Sequence, residues 1–595
     1  MQNIFQHYKD RNTSIHYEHK MRSIFLAFIS LGLSGVLLAD EHLTSESEET
    51  APQSVVSDEN VPSENTEIAM QRTVPNLSPS CKGILLLSRK ENLKENPEAN
   101  SFLTSDMKIP GGEKQLEKRL ESLFANREID SELIADIKNE ITQYYDEQKQ
   151  SLIAVQIPEQ KICCGVVQVI ICESCLNELT VRGNCWTPSD LLCRYFKTSS
   201  QGMIDERILR RDLEFMNRNP FRHVNAILSP GKLNSSTDVT LLVDERRRVR
   251  FYAGADNTGV RTTSRQRWYT GLNWGKAFGL DHIFSYQYTS AYSLNEFQAH
   301  TAQYQAFLPW LHVLNIYGGY SYVHPHLDFL TTKNSFGQSG QASLRYTIPL
   351  MPWTTFTHEF SVGFDFKRTN NTVEFSDLFI QFAKNVNLTQ LAVEYRLEKS
   401  FCKCRFDVAL QGYYSPGNWV PDQTVADYGA LRPFARPAYA YFRANINSLI
   451  YLPGTWYFNA FLRGQVATQN LLPSEQFCLG GYDTVRGYDQ WQLNIDDAVL
   501  LNLELRTPQI AVASRRYCVK DALQFLVFAD GGYGKNYHEI PGEHTPQYLI
   551  GAGPGIRYIL DPYITARLDW GVKCHRNKEF TGGNSMVHFN ATLSY

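Results

Sequence analysis

The sequence predicts a transmembrane β-barrel of about sixteen antiparallel strands preceded by two α+β domains. Three observations lead there. Past residue 40 the 595-residue chain has no run of eighteen or more apolar residues, so no spanning helix is expected in the mature protein. It nevertheless carries 33 Phe, 32 Tyr and 9 Trp at a mean hydropathy of -0.34, the signature of strands whose lipid face and lumen face alternate and cancel in any average. From Arg247 to Tyr595 the chain is written as short alternating segments separated by turns, room for sixteen strands at roughly 22 residues each with connections.

Charge and composition exclude several classes. With 58 basic and 62 acidic residues the formal net charge is -4, so no global positive field argues for a nucleic-acid partner. The 15 histidines are scattered, and neither a Gly-x-Ser-x-Gly elbow nor a Walker loop occurs, so no catalytic residue and no cofactor is predicted. His324-Pro325-His326 offers two imidazoles without a third ligand and reads as a surface turn rather than a metal site.

Residues 1–39 read as an extended charged region followed, from Met21, by a secretory signal peptide with cleavage after Ala39; an upstream start codon assigned too early explains the extension equally simply. Residues 40–80 carry nine acidic residues against one basic residue, Arg72, and form a solvated linker. Twelve cysteines suit an oxidising compartment. Seven of them, Cys81, Cys163, Cys164, Cys172, Cys175, Cys185 and Cys193, precede the barrel; disulfides of undetermined pairing are expected, with a zinc site at Cys172, Cys175, Cys185 and Cys193 as the weaker alternative.

Residues 81–173 form the first α+β unit. Ile84-Leu85-Leu86-Leu87 is a buried strand, Leu116, Leu120, Leu123 and Phe124 mark a helix, and Asp130 or Ser131 caps a second helix carrying Leu133, Ile134, Ile137, Ile141 and Tyr144. Strands at 152–157 and 166–171 complete the unit. Residues 174–246 repeat the order: a strand at 176–181, a helix opened by Pro188 in its first position, a helix at 204–216, and strands at 224–228 and 239–243. Residues 247–595 are the barrel, with Asp256-Asn257-Thr258-Gly259 as a hairpin signal. The final strand alternates Phe589, Ala591, Leu593 and Tyr595 with His588, Asn590, Thr592 and Ser594.

Two motifs carry the functional reading. Gly480-Gly481-Tyr482-Asp483-Thr484-Val485-Arg486-Gly487-Tyr488 is followed by Phe528-Ala529-Asp530-Gly531-Gly532. A guanidinium enclosed in a barrel needs a partner, and a fixed carboxylate accepts its planar fork of donors, so Asp530 is paired with Arg486. Leu526, Phe528, Asp530 and Gly532 share one strand face, and Phe525, Val527, Ala529 and Tyr533 the other. Together these segments resemble the paired signature of the outer-membrane-protein-85 superfamily. The stretch Phe215 to Gly231, with Asn217-Arg218-Asn219-Pro220-Phe221-Arg222, resembles the second POTRA domain of two-partner secretion transporters of the haemolysin secretion/activation type, and 141–169 resembles the first.

The resemblance implies a long extracellular loop folded into the lumen, its Val485-Arg486-Gly487-Tyr488 tip docked on a wall strand bearing Phe528, Asp530 and Gly532. It implies an outer-membrane pore that passes a secreted β-rich client out of the periplasm, with outer-membrane lipid around the barrel, POTRA domains beneath it, and assembly machinery that reads a terminal strand ending in Phe589 and Tyr595. Arg486 and Asp530 either brace the barrel or take part in gating. Arg246, Arg247, Arg248 and Arg250 form a basic rim that either attracts the client or is merely solvated. A barrel-assembly insertase and a porin or cysteine-linked envelope protein are the rival readings; two POTRA units and the Asn217 to Gly231 stretch favour secretion.

Overall fold

The computed structural model describes residues 80–595, apart from 89, 95–101, 110, 149–152, 161, 163, 164, 174, 199–203, 232–235, 325–336, 353–355, 372–381, 514–519, 541–545 and 576–582. The predicted signal peptide, almost all of the acidic linker, and Pro325 and His326 lie outside them.

The first unit is a four-stranded sheet in the order Leu103–Ser105, Gly83–Leu87, Val166–Glu173, Ile153–Gln156, the last pair antiparallel and the others parallel. Gly83–Leu87 lies inside the sheet and is buried at every position, which is why it reads as an uninterrupted apolar run. Helices Glu113–Phe124 and Ser131–Glu147 cover one face, where Leu116, Leu120, Phe124, Leu133, Ile137, Ile141 and Tyr144 pack on Ile84, Leu86, Val167 and Val169. Asp130 is the cap: its Oδ1 accepts the Leu133 N–H at 2.7 Å. Two expectations need correction. Leu123 points to solvent, and the three-residue strand Leu103–Ser105 escapes sequence reading because it is too short to show alternation.

The second unit orders its strands Cys175–Arg182, Ser236–Glu245, Arg222–Pro230, with helices Ser189–Tyr195 and Glu206–Asn217. Pro188 is the cap residue of the first helix, not its first helical position; its ψ of 138° is extended, and Ser189 begins the helix. Asp205 caps the second by accepting the Arg207 N–H at 2.8 Å. Leu209, Phe215 and Met216 close over Val224, Val239 and Leu241, and the same core continues into Ile283, Phe307, Leu311 and Val313 of the barrel.

Sixteen antiparallel strands, from Val249–Asp256 to Ser585–Ser594, close the barrel. The last strand pairs with the first from Asn590 opposite Asp256 to Ser594 opposite Tyr252, and Phe251 and Tyr595 extend the seam with two backbone hydrogen bonds of 2.8 and 2.9 Å. Val499 and Leu501, Phe525 and Val527, and Leu568 and Trp570 point outward and are exposed, as a lipid-facing belt requires. Among the described residues no helix is long and apolar enough to cross a membrane. The Asp256 to Gly259 signal opens the connection of an antiparallel hairpin, with Asp256 opposite Arg267. Asp256 accepts the Thr258 N–H at 2.7 Å, but the connection runs on through the turn Arg261–Thr263 before strand Arg267–Gly275.

The disulfides expected before the barrel do not form at three of the cysteines. Cys81, Cys185 and Cys193 are free thiols, Cys81 fully enclosed in the apolar core of the first unit. Cys163 and Cys164, and the side chains of Cys172 and Cys175, lie outside the described residues. Among the described residues no three His, Cys, Asp or Glu side chains gather as a metal site.

Candidate functional site

The connection 468–496 between strands Tyr457–Ala467 and Asp497–Arg506 is the longest described loop, and it turns inward. Its limbs pair as a ribbon, Phe477–Leu479 against Leu493–Ile495, and its tip is the Val485 to Tyr488 segment. Phe477, Leu479, Val485, Tyr488 and Ile495 pack on Ala498, Leu500 and Leu549 of the wall, so an apolar contact seats the ribbon before any charge is counted.

Arg486 is 2% exposed and lies in a cage of carboxylates. Its Nε and Nη2 donate to the two oxygens of Asp530 at 2.7 and 2.8 Å, the expected fork, and its backbone N–H reaches Asp530 Oδ2 at 3.0 Å. Its Nη1 donates to Glu504 at 2.5 Å and to Asp569 at 3.4 Å, and its Cζ stands 3.6 Å above the centre of the Phe528 ring. The carboxylates are shared: Arg557 and Arg567 hold Asp569 at 2.7 and 2.8 Å, and Arg506 holds Glu504 at 2.6 Å. Each buried charge thus has an opposite partner, the condition under which such a cluster is tolerated.

The backbone of the tip fits a slot made by absent side chains. Gly487 has φ 98°, which disfavours any residue with a Cβ. A Cβ on Gly571 would stand 2.3 Å from the Gly487 nitrogen, and one on Gly551 would stand 2.0 Å from the Arg486 carbonyl oxygen. Gly487 donates to His588 Nε2 at 3.0 Å, and the Tyr488 hydroxyl donates to the His575 carbonyl at 2.5 Å and accepts the Ile550 N–H at 3.3 Å. Gly532 leaves room for Leu479, whose Cδ2 would lie 2.8 Å from an added Cβ.

All seven residues of the two predicted motifs therefore meet at one place, on the faces expected. Glu504, Asp569 and His588 of the same cage were not foreseen. The signal available for Glu504 and Asp569 was a charged side chain at a lumen-facing position of a strand, Asn502-Leu503-Glu504 and Arg567-Leu568-Asp569.

The stretch 217–222 serves a second junction. Asn217 accepts the Val224 N–H and donates to the Val224 carbonyl at 2.6 and 3.0 Å, bracing the edge strand. Asn219 and Arg222 donate to Asp281 Oδ1 at 2.9 and 2.7 Å, and the Tyr195 hydroxyl reaches its Oδ2 at 3.1 Å. Asp281 belongs to a barrel turn, so these residues fasten the second unit to the barrel floor.

The basic rim lies at that junction. Arg247 stands 5.0 Å over the Tyr595 ring, Arg248 stands 3.8 Å over Trp186, and Arg250 donates to Ser594 at 3.0 Å. Arg246 is exposed.

A closed barrel with an inward loop locked to its wall, above two α+β units, defines a protein-translocating outer-membrane pore of the outer-membrane-protein-85 superfamily. The comparisons narrow the class. The family described as haemolysin secretion/activation protein ShlB/FhaC/HecB matches residues 235–558, and the chain belongs to it. The chain is 21% identical over 440 residues to heme/hemopexin transporter protein HuxB of Haemophilus influenzae (strain 86-028NP), covering 70% of this chain and 72% of that protein. It is 22% identical over 447 residues to outer membrane transporter CdiB of Dickeya dadantii (strain 3937), covering 73% and 75%. The structure of CdiB from Escherichia coli shares the fold at a TM-score of 0.71 and 15% identity, covering 89% of this chain and 93% of that one. The chain is an outer-membrane transporter of two-partner secretion, with POTRA domains on the periplasmic side.

Proposed function

We propose that this transporter takes up one dedicated β-rich client in the periplasm and passes it through the lumen as an extended chain. The observation that carries the reading is the inward loop: a barrel filled by a displaceable segment is built to open for something larger than a solute. HuxB is named a heme/hemopexin transporter and CdiB an outer membrane transporter, and the client of this chain is named only by its chemistry. Domain boundaries at 81–173, 174–246 and 247–595 fit this division of labour, with capture below and passage above.

In this reading Val485, Arg486, Gly487 and Tyr488 anchor the loop tip to Phe528, Asp530 and Gly532, and export depends on that anchor. Capture uses an open sheet edge. Strand Arg222–Pro230 is at the edge of its sheet, with Ile227 and Leu228 exposed, and an unfolded client can add a strand there through main-chain hydrogen bonds. The rim of Arg246, Arg247, Arg248 and Arg250 adds positive charge at the entrance. Phe589 and Tyr595 serve the assembly machinery as the terminal signal. No nucleotide is required; folding of the client outside biases its direction.

Release of a candidate partner protein into the medium, compared between cells with wild-type barrel, Arg486→Ala and no barrel, tests this. Barrel-dependent release supports a dedicated exporter. A partner retained in the periplasm, together with failure of other barrels to assemble, would support the insertase instead.

A further inference from the structure

The loop 468–496 is held on two opposite walls, and the two holds are unlike. In a sixteen-strand barrel, strands eight places apart face each other; Phe356–Asn371 is seventh and Ile564–Lys573 fifteenth. Glu475 binds on the seventh, eighth and tenth strands: Lys367 Nζ at 2.6 Å, Gln390 Nε2 at 3.1 Å and the Tyr441 hydroxyl at 2.7 Å. Eleven residues on, Arg486 binds Glu504, Asp530 and Asp569 on the twelfth, thirteenth and fifteenth strands. The segment between them bridges the lumen.

The tip is caged by three buried carboxylates and fitted into the glycine slot, so leaving it would strand several charges at once. The Glu475 side has one carboxylate, whose cationic partner Lys367 is already 19% exposed, a backbone carbonyl that accepts from Arg443 and Gln465 at 3.0 and 3.2 Å, and an apolar seat where Leu471 and Leu472 pack with Tyr439 and Tyr441. Water can take over a lysine, a hydroxyl and an amide at small net cost, because each exchanges one hydrogen bond for another. In buried ion pairs, the contacts that are costliest to break, the Glu475 side is the weaker of the two.

We propose that Glu475 is a positioning residue for transport: it latches the ribbon to the wall of strands seven to ten, and the passage opens along that wall while the tip stays docked. The proposal rests on the transport reading above. The wall so uncovered carries Tyr413, Tyr441 and Tyr439, with ring centroids 4.6 and 6.2 Å apart and nearly parallel, and Arg443 standing 5.0 Å over Tyr441. Flat aromatic faces beside a guanidinium offer an extended chain weak contacts that demand no particular sequence.

The test uses full-length protein carrying Glu475→Gln or Lys367→Met, with folding checked by heat-modifiable migration. In planar bilayers both variants should open several-fold more often than wild type. By hydrogen exchange, amides of 474–479 should exchange several-fold faster while those of 484–488 stay unchanged. Equal acceleration in both segments, or unchanged opening in both folded variants, overturns the latch. If Glu475→Gln does not fold, Lys367→Met, which alters only the wall, carries the same decision. Neither readout needs a client, so a wild-type barrel that exports nothing counts against the transport reading and leaves the latch to be decided by these measurements.

Discussion

Arg222 of the second periplasmic unit donates to Asp281 of the barrel floor at 2.7 Å, and both side chains are almost wholly buried. With Asn219 and Tyr195 on the same carboxylate, the pair pins the second periplasmic unit to the barrel. The family-like stretch from Asn217 to Arg222 is therefore explained by docking geometry, before any contact with a client is invoked.

Breaking this pin has a predictable cost. Arg222→Met leaves Asp281 buried beside only a hydroxyl and an amide, which should destabilise the docked arrangement by about 3 to 5 kcal/mol. Arg222→Met with Asp281→Leu should recover much of that loss. A double-mutant cycle from denaturant unfolding measures the coupling, and purely additive losses would show that the pair is not a unit.

Arg486→Ala should leave a folded barrel in the membrane and abolish most export, because the tip loses its fork while the wall arginines Arg506, Arg557 and Arg567 still neutralise Glu504 and Asp569. Arg486→Lys should not rescue, since a point charge cannot bridge Asp530 and Glu504 at once. Secreted partner, normalised to heat-modifiable barrel, is the measurement; wild-type export by the lysine variant would refute the need for the fork.

Alternation alone placed Asp530, Phe528 and Gly532 on the lumen face, because a strand's period of two is local. It could not show that Glu504, Asp569 and His588 face the same point, since which strands meet around a loop depends on barrel closure and loop path. Likewise Glu475 sits in Ser474-Glu475-Gln476, a segment with no periodicity, and its three wall partners come from strands up to 108 residues away. The Asx hydrogen bond at Asp256 announced the hairpin of strands Val249–Asp256 and Arg267–Gly275 but not the length of its connection, because a tight turn and a longer loop open alike.

Glu245 gives a pH prediction outside the membrane. Burial raises its carboxyl, but the Thr187 side chain and the backbone N–H groups of Trp186, Cys185 and Thr187 outweigh that and hold it below the ordinary carboxylate range. A depressed folded pKa contributes stability that is present above the unfolded value, about 4.3, and is lost as pH falls through the folded one. The thermal-stability difference between wild type and Glu245→Gln should thus be constant from about pH 7 to about pH 5 and shrink toward about pH 3. A difference already falling above about pH 5 would contradict the assignment.

The glycine slot separates seating of the tip from its charge. Gly551→Ala keeps every ionisable group in place, yet its new Cβ would fall 2.0 Å from the Arg486 carbonyl oxygen, on backbone that cannot step aside like a flexible side chain. The tip must then lift from strand Gln547–Asp561, lengthening the bonds from Arg486 to Asp530 and from Gly487 to His588. Gly531→Ala on the neighbouring strand is the control, since nothing lies within 4 Å of a Cβ there. We expect Gly551→Ala to cut export as deeply as Arg486→Ala with both barrels folded, and Gly531→Ala to export normally. Normal export from Gly551→Ala would mean that the tip can ride higher than the slot allows and that its charge alone sets the docking.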